Sequence, residues 1–294
     1  MSDSALIWDP HREELYAHDC GTWRRFSPVD GTHRTLRDAG TLTIIGSAQS
    51  ATLCGDVLMD PGGSFLYVFG RREGESQVLV FDFPILFNTT GGSLGTVQTV
   101  EIDAAIMSAL ISNSGSHVYV LTGNALLVFK RNPGTGELAQ VGTAGDLWGA
   151  EAMAISDDDR HLFVFDEFGN WTTLFQLDDP SNPQFLDTLP PFGNAPQPEL
   201  TGCQVAAARN GLPAVDAFCT SSAFSVRWRL ETGELEATDY VANWQQDRFN
   251  NHLPDFGFVR GMAASPDGTH AYLTTDDAGI VVFERVGNEM VEPE

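Results

Sequence analysis

Residues 265–285, SPDGTHAYLTTDDAGIVVFER, read as a polar turn at Ser265-Pro266-Asp267-Gly268, a short apolar strand, a second acidic turn and another apolar strand. Asp-Gly supplies the positive φ that a tight hairpin demands, and period-2 apolar residues on either side suit strands. The stretch decides the fold because the same order recurs. Comparable segments are LIWDPHREELYAHD from Leu6, VLMDPGGSFLYVFG from Val57, ALISNSGSHVYVLT from Ala109, AISDDDRHLFVFDE from Ala154, AAARNGLPAVDAFC from Ala206 and AASPDGTHAYLTTD from Ala263. Their turns begin at Asp9, Asp60, Ser112, Ser156, Ala208 and Ser265, spaced 51, 52, 44, 52 and 57 residues apart. A four-stranded propeller blade repeats about every 40–50 residues.

Each repeat continues with a third apolar strand: TWRRF, QVLVFDF, ALLVFKR, WTTLFQL, FSVRWRL and GIVVFER. A fourth follows turns such as PVDGTHRTL, NPGTGELAQV and ETGELEATDYV. The reading is an all-β chain, a β-propeller of four-stranded antiparallel blades, with six blades and a seven-bladed arrangement as the alternative. It forms one domain over 1–294, with blades starting near 5, 55, 106, 150, 203 and 260. A β-sandwich also shows strands every 8–12 residues, but it gives no reason for the same ordered unit to appear six times. Only NEMVEPE follows the last third strand, so ring closure by a strand from the other terminus is not evident.

Composition agrees. The 294 residues are 42% hydrophobic and 19% charged, with 29 Gly and 19 Phe, which suits many short strands and tight turns. Net charge is −24, so the surface repels nucleic acid and anionic membranes. No apolar stretch is long enough to span a bilayer, and MSDSALIWDPHREELY lacks the pattern of an export signal.

The segments ISDDDRHLFVFDEFGNW, HVYVLTGNALLVFKRNPGTGELAQVG and SPDGTHAYLTTDDAGIVVFER resemble the YVTN-like and lactonase-like β-propeller repeats of bacteria. In those repeats Ser-Pro-Asp-Gly is followed by Tyr-Val, a Val-Phe-x-Arg strand and a Thr-Gly-x-Leu hairpin. The resemblance covers blades two, three, four and six clearly and implies the scaffold. It carries no catalytic residue, since these motifs are turn and strand chemistry.

Four cysteines fall at related places in the repeats. Cys203 and Cys219 each lie eight residues from Gly211, so a hairpin there sets them opposite one another; Cys20 with Cys54 would join neighbouring blades. Two such pairs point to an extracytoplasmic, oxidising compartment, whereas four free thiols would suit the cytoplasm. No Cys-x-x-Cys or comparable spacing suggests a metal, and no cofactor motif is present. SDDDRH at 156–161 lacks the spacing of a calcium loop and reads as the blade turn. Asn88 and Asn170 begin glycosylation-type triplets.

The loops that enter the first strands are unequal, and the longest, YVANWQQDRFNNHLPDFGFVRG, precedes blade six. Long loops on a rigid scaffold carry function. At the position aligned with the channel mouth stand Ser4, Gly55, Met107, Glu151, Cys203 and Arg260, of which only Glu151 and Arg260 are charged. Set one repeat apart, they either hold a polar ligand or neutralise each other. Trp148, Phe192 and Trp244 offer flat apolar platforms, or else cover blade edges. Gln245, Arg248, Asn250 and His252 supply polar contacts.

The expected function is therefore noncatalytic: a monomer, or a module of a larger assembly, that binds a protein, peptide or glycan on the loop-bearing face. The alternative is a lactonase-like hydrolase with Glu151, His252 and Arg260 at the channel mouth. His18, at the end of a second strand, is a further candidate base. Gly-x-Ser-x-Gly and His-Glu-x-x-His are both missing, which weighs against an enzyme.

Overall fold

The structure is a computed structural model that describes residues 4–9, 13–19, 22–29, 36–43, 56–72, 75–82, 96–145, 147, 149–156, 158–166, 172–189, 204–207, 214–219, 222–229, 234–242, 259–264, 270–275, 279–286 and 289–291. Among these, all regular structure is strand, and the strands pair in chain order into four-stranded antiparallel meanders.

The first sheet holds β1 (Ser4–Asp9), β2 (Glu14–Asp19), β3 (Thr22–Pro28) and β4 (Leu36–Thr43). The second holds β5 (Val57–Met59), β6 (Phe65–Arg72), β7 (Glu75–Asp82) and β8 (Thr96–Ile102). The third holds β9 (Ile106–Ile111), β10 (His117–Thr122), β11 (Ala125–Arg131) and β12 (Leu138–Gly145). In the fourth are β13 (Ala150–Ile155), β14 (His161–Asp166), β15 (Thr172–Gln176) and β16 (Gln184–Leu189). The fifth comprises β17 (Gln204–Ala207), β18 (Ala214–Cys219), β19 (Ser222–Arg229) and β20 (Glu234–Ala242). The sixth comprises β21 (Val259–Ala264), β22 (His270–Thr275), β23 (Gly279–Val286) and β24 (Glu289–Val291). The short β24 falls within NEMVEPE and forms the outer strand of the sixth sheet.

By packing, the chain divides into two compact units, Met1–Leu147 with Asp179–Asn182, and Trp148–Asp178 with Pro183–Glu294. In the first unit β1 lies beside β5 and β5 beside β9; in the second, β13 lies beside β17 and β17 beside β21. First strands thus neighbour first strands, as radial stacking requires.

Burial separates this arrangement from a two-layer sandwich. Every residue of β10 is buried, and so are Phe65–Gly70 of β6, whereas β12 is mostly exposed. A sandwich sheet alternates buried and exposed residues, because only one face meets a partner. Buried on both faces, a central strand needs a sheet on each side. One such interface joins Phe65, Tyr67, Phe69, Val78 and Val80 of the second sheet to Ile106, Ala109, Val118, Val120, Phe129 and Leu138 of the third.

The first turn of a repeat is built alike in three sheets. Asp60 N bonds Phe65 O, Ser112 N bonds His117 O and Ser156 N bonds His161 O, with a second turn bond from Gly63, Gly115 and Asp159. These three residues have positive φ. The turn's first side chain then accepts amides from its end: Asp60 Oδ1 from Ser64 N at 2.7 Å, Ser112 Oγ from His117 N at 3.1 Å, Ser156 Oγ from His161 N at 3.0 Å. Ser156, Asp158 and Asp159 therefore belong to the blade turn that the sequence indicates.

Two recurring tyrosines tether one sheet to the hairpin of the next repeat. Tyr67 OH donates to Gly136 O at 2.9 Å, and Tyr119 OH donates to Pro180 O at 3.1 Å in the Asp179–Asn182 turn. Tyr67 and Tyr119 are fully buried, so the hydroxyl must find a partner, and the neighbouring hairpin supplies a carbonyl. Phe163 occupies the corresponding place on β14 and has no hydroxyl to donate.

The outer strands share a device that their residues do not announce. In five sheets the pairing of third and fourth strands slips at one point and leaves a single fourth-strand residue unopposed: Ala39, Val97, Val141, Leu186 and Thr238. A bulge there twists the open edge and blunts it against pairing with another chain. Val97, Val141 and Leu186 are exposed at these points.

Candidate functional site

The second family of bulges lies where the first strands begin. Leu121 faces Ser108 and Thr122 faces Ile106, which leaves Met107 unopposed. By the same slip Glu151 stands out of the β13–β14 ladder and Arg260 out of the β21–β22 ladder. These are three of the positions aligned as channel-mouth residues from sequence, whereas Ser4, a fourth, faces Asp19 in regular pairing. A bulge re-aims a residue and ends regular pairing, a device found beside binding sites.

Glu151 and Arg260 both belong to the second unit, but with β17 between their strands. The one-repeat spacing is corrected to two, because the sheet that begins at β17 intervenes. Trp148, Phe192, Trp244, Gln245, Arg248, Asn250 and His252 lie outside the described residues, as do Gly55, Asn88, Asn170, Cys20, Cys54 and Cys203. Cys219 ends β18, and Gln204 faces Phe218 across β17 and β18. His18 faces Ala5 in the β1–β2 ladder. Among the described residues, no group of three or more His, Cys, Asp or Glu is arranged to hold a metal ion.

One residue beyond Gly55 stands Asp56, which neither motif nor loop length singles out. Its counterparts are Ala5, Ser108, Ala152, Gln204 and Gly261, so it is the one ionisable residue in that column, a signal legible in the alignment. Asp56 Oδ2 accepts the Ala109 amide of β9 at 2.8 Å. Since β9 ends its sheet, an Ala109 N–H given to Asp56 points to the edge away from β10. The Asp56 carbonyl accepts Phe69 N at 2.8 Å, which holds the residue at the head of β5. Burial pushes the carboxyl up from 3.8 to about 6, against the opposing pull of the Ala109 bond. The folded state therefore holds this proton more tightly than the unfolded chain. The group's favourable contribution is present below pH 3.8 and lost as pH rises through about 6, a cost on the order of 3 kcal/mol at neutral pH.

Histidines at equivalent places on β10 and β14 differ instructively. His117 Nδ1 pairs with Ser116 Oγ at 2.8 Å and Nε2 with Ser181 Oγ at 3.1 Å. At the Ser116 position the fourth sheet has Arg160, and His161 Nδ1 is buried with no hydrogen-bond partner. Desolvation holds His161 below its ordinary value, with the Asp158 charge opposing. As pH drops below about 6.5 the unfolded chain takes this proton more readily than the fold does, so His161 lowers stability in acid. Arg160→Ser places a hydroxyl where Ser116 stands and is expected to raise unfolding stability by about 1 kcal/mol. Urea unfolding at pH 7.5 measures it, and an unchanged midpoint would mean that Nδ1 gains nothing from the hydroxyl.

No family model and no curated protein matches the chain. Solved structures do. A functionally unknown protein from Desulfotomaculum acetoxidans aligns over 99% of this chain and 84% of its own, with TM-score 0.66 and 15% identity. The periplasmic gluconolactonase of Pseudomonas aeruginosa aligns over 99% and 84%, with TM-score 0.65 and 14% identity. A Bacteroides fragilis protein described as a candidate 6-phosphogluconolactonase aligns over 99% and 82%, with TM-score 0.63 and 15% identity. The fold is that of a lactonase-like β-propeller, built of four-stranded antiparallel sheets.

Proposed function

We propose that this chain hydrolyses an uncharged sugar lactone, with Glu151 as the base and Arg260 as the oxyanion partner. The observation that carries this reading is the first-strand bulge. In three sheets it lifts one repeat position out of the ladder, and the charged residues at that position are Glu151 and Arg260. The gluconolactonase likeness supplies the reaction class by analogy of fold, no more. Net charge of −24 disfavours a phosphorylated lactone and favours a neutral one.

The step is ester hydrolysis. Glu151 takes a proton from water as the water oxygen bonds the lactone carbonyl carbon, and the Arg260 guanidinium stabilises the oxyanion. Collapse breaks the bond from acyl carbon to ring oxygen, and the ring oxygen takes the proton, giving the open hydroxy acid. His252 is the alternative base. The cysteine pairs Cys203 with Cys219 and Cys20 with Cys54 belong to the same reading and fit an extracytoplasmic setting; peptide mapping without reductant would reveal free thiols if they do not form.

Initial rates of D-glucono-1,5-lactone hydrolysis, corrected for the spontaneous reaction, test the proposal. Glu151→Gln is expected to lower kcat by about 10²–10⁴-fold. A Glu151→Gln rate equal to that of the unaltered chain would remove the proposed base. Absence of any turnover would favour the second reading, a noncatalytic binder of a protein, peptide or glycan through Trp244 and Arg248. That reading draws on the lack of a nucleophile motif in the sequence.

A further inference from the structure

We propose that Asp56 is a ligand-binding carboxylate in the first unit, which receives a hydroxyl of an uncharged pyranose on its Oδ1. The inference shares with the reading above only the class of ligand, and it does not depend on turnover.

The geometry sets the two carboxyl oxygens to different tasks. Oδ2 is committed to the Ala109 amide at 2.8 Å, across from β5 to the open edge of β9. Among the described residues Oδ1 takes no hydrogen bond, and Asp56 remains partly exposed. In a propeller the open edges of first strands line the central channel, so a partly exposed acceptor there meets whatever enters.

A structural strap alone does not explain an acid. Asparagine would accept the same amide through its own oxygen without the cost of burying a charge. The carboxylate is retained despite that cost, the pattern expected where stability is given up for a site. The charge that acts on Asp56 is that of the amino terminus, whose pull is weaker than that of the Ala109 bond, and no lysine or arginine side chain acts on it. A neutral hydroxyl donor suits the position best. An anion would meet direct repulsion, and the other residues of this column carry no charge.

Calorimetric titration of the full chain with 1,5-anhydro-D-glucitol, a neutral pyranose that cannot be hydrolysed, tests the proposal. Binding to the unaltered chain is expected to tighten about tenfold between pH 5 and 7.5, as the competent ionised fraction grows. Asp56→Asn should weaken binding at pH 7.5 at least about tenfold and flatten its pH dependence, because the charged acceptor is gone. Its melting temperature at pH 7.5 should equal or exceed that of the unaltered chain, which shows that the strap and the fold persist. No binding by the unaltered chain, or equal binding by Asp56→Asn at both pH values, would overturn the proposal. Loss of lactone turnover in Glu151→Gln with retained pyranose binding would leave this site standing, so the two proposals fail separately.

Discussion

Replacing Arg131 with methionine is expected to cost about 3–5 kcal/mol of stability, one of the two largest effects foreseen for this chain. The side chain sits at the end of β11 with 5% exposure, and Asp60 opposite it has 4%. Nη2 donates to Asp60 Oδ2 at 2.7 Å, Nη1 to Gly115 O at 3.0 Å and Nε to Tyr67 OH at 2.7 Å. The guanidinium carbon lies 5.5 Å from the centre of the Phe65 ring. Methionine fills similar space yet leaves Asp60 as a buried carboxylate without its cation. The loss of the counter-charge, more than the loss of attraction, produces the penalty.

Asp60 has a second task, which makes the pair testable by a cycle. It accepts the turn amides of Gly62 at 3.1 Å and Ser64 at 2.7 Å, and that of Phe65 besides. Asp60→Asn keeps an acceptor for the turn and removes the charge. The double variant Asp60→Asn with Arg131→Met should then cost less than the two single changes together, by about 1–3 kcal/mol, since neither charge is stranded. Urea unfolding of the four proteins measures this. Additive single effects, each below about 1 kcal/mol, would mean that water reaches the pair and the clamp is not buried in solution.

The second large effect lies in the hairpin that the same network touches. Gly136 has φ +73°, and its carbonyl receives the Tyr67 hydroxyl. A Cβ built there would lie 2.6 Å from Phe65 Cγ and 2.9 Å from Cε1, inside the ring's contact surface. Gly136→Ala therefore combines backbone strain of about 1–3 kcal/mol with overpacking of similar size. Phe65 cannot yield freely, because Arg131 lies over its face. The expected loss is about 2–5 kcal/mol. Gly123→Ala is the control: nothing lies within 4 Å of its Cβ position, and a change within about 0.5 kcal/mol is expected. Equal melting temperatures for the two variants would show that the hairpin relaxes around the methyl group.

Much of the scaffold is legible in the residues alone. The turns beginning at Asp9, Asp60, Ser112 and Ser156 open hairpins between first and second strands, as their spacing indicates, and the third strands fall on QVLVFDF, ALLVFKR and GIVVFER. Local chemistry explains this. Turn residues and period-2 apolar runs act over a few positions, so they can be read without knowing what packs on them. The candidate site is only half legible. Glu151 and Arg260 emerge as the charged members of one repeat column. Their shared bulge does not emerge, because a bulge is a property of register between two strands and leaves no mark in either.

Sequence by itself determined the repeating order of strand, turn and strand, and with it the all-β fold, since that order is imposed by φ preferences and side-chain alternation within each segment. Tertiary structure decided what distant residues do for one another. Asp60 and Arg131, 71 positions apart, become an ion pair. Tyr67 finds a carbonyl 69 positions onward. Asp56 acquires a raised proton affinity because burial removes much of its water, an effect larger than the opposing pull of the Ala109 amide of β9. Desolvation and long-range partnership depend on which surfaces meet, and a linear pattern carries no record of that meeting.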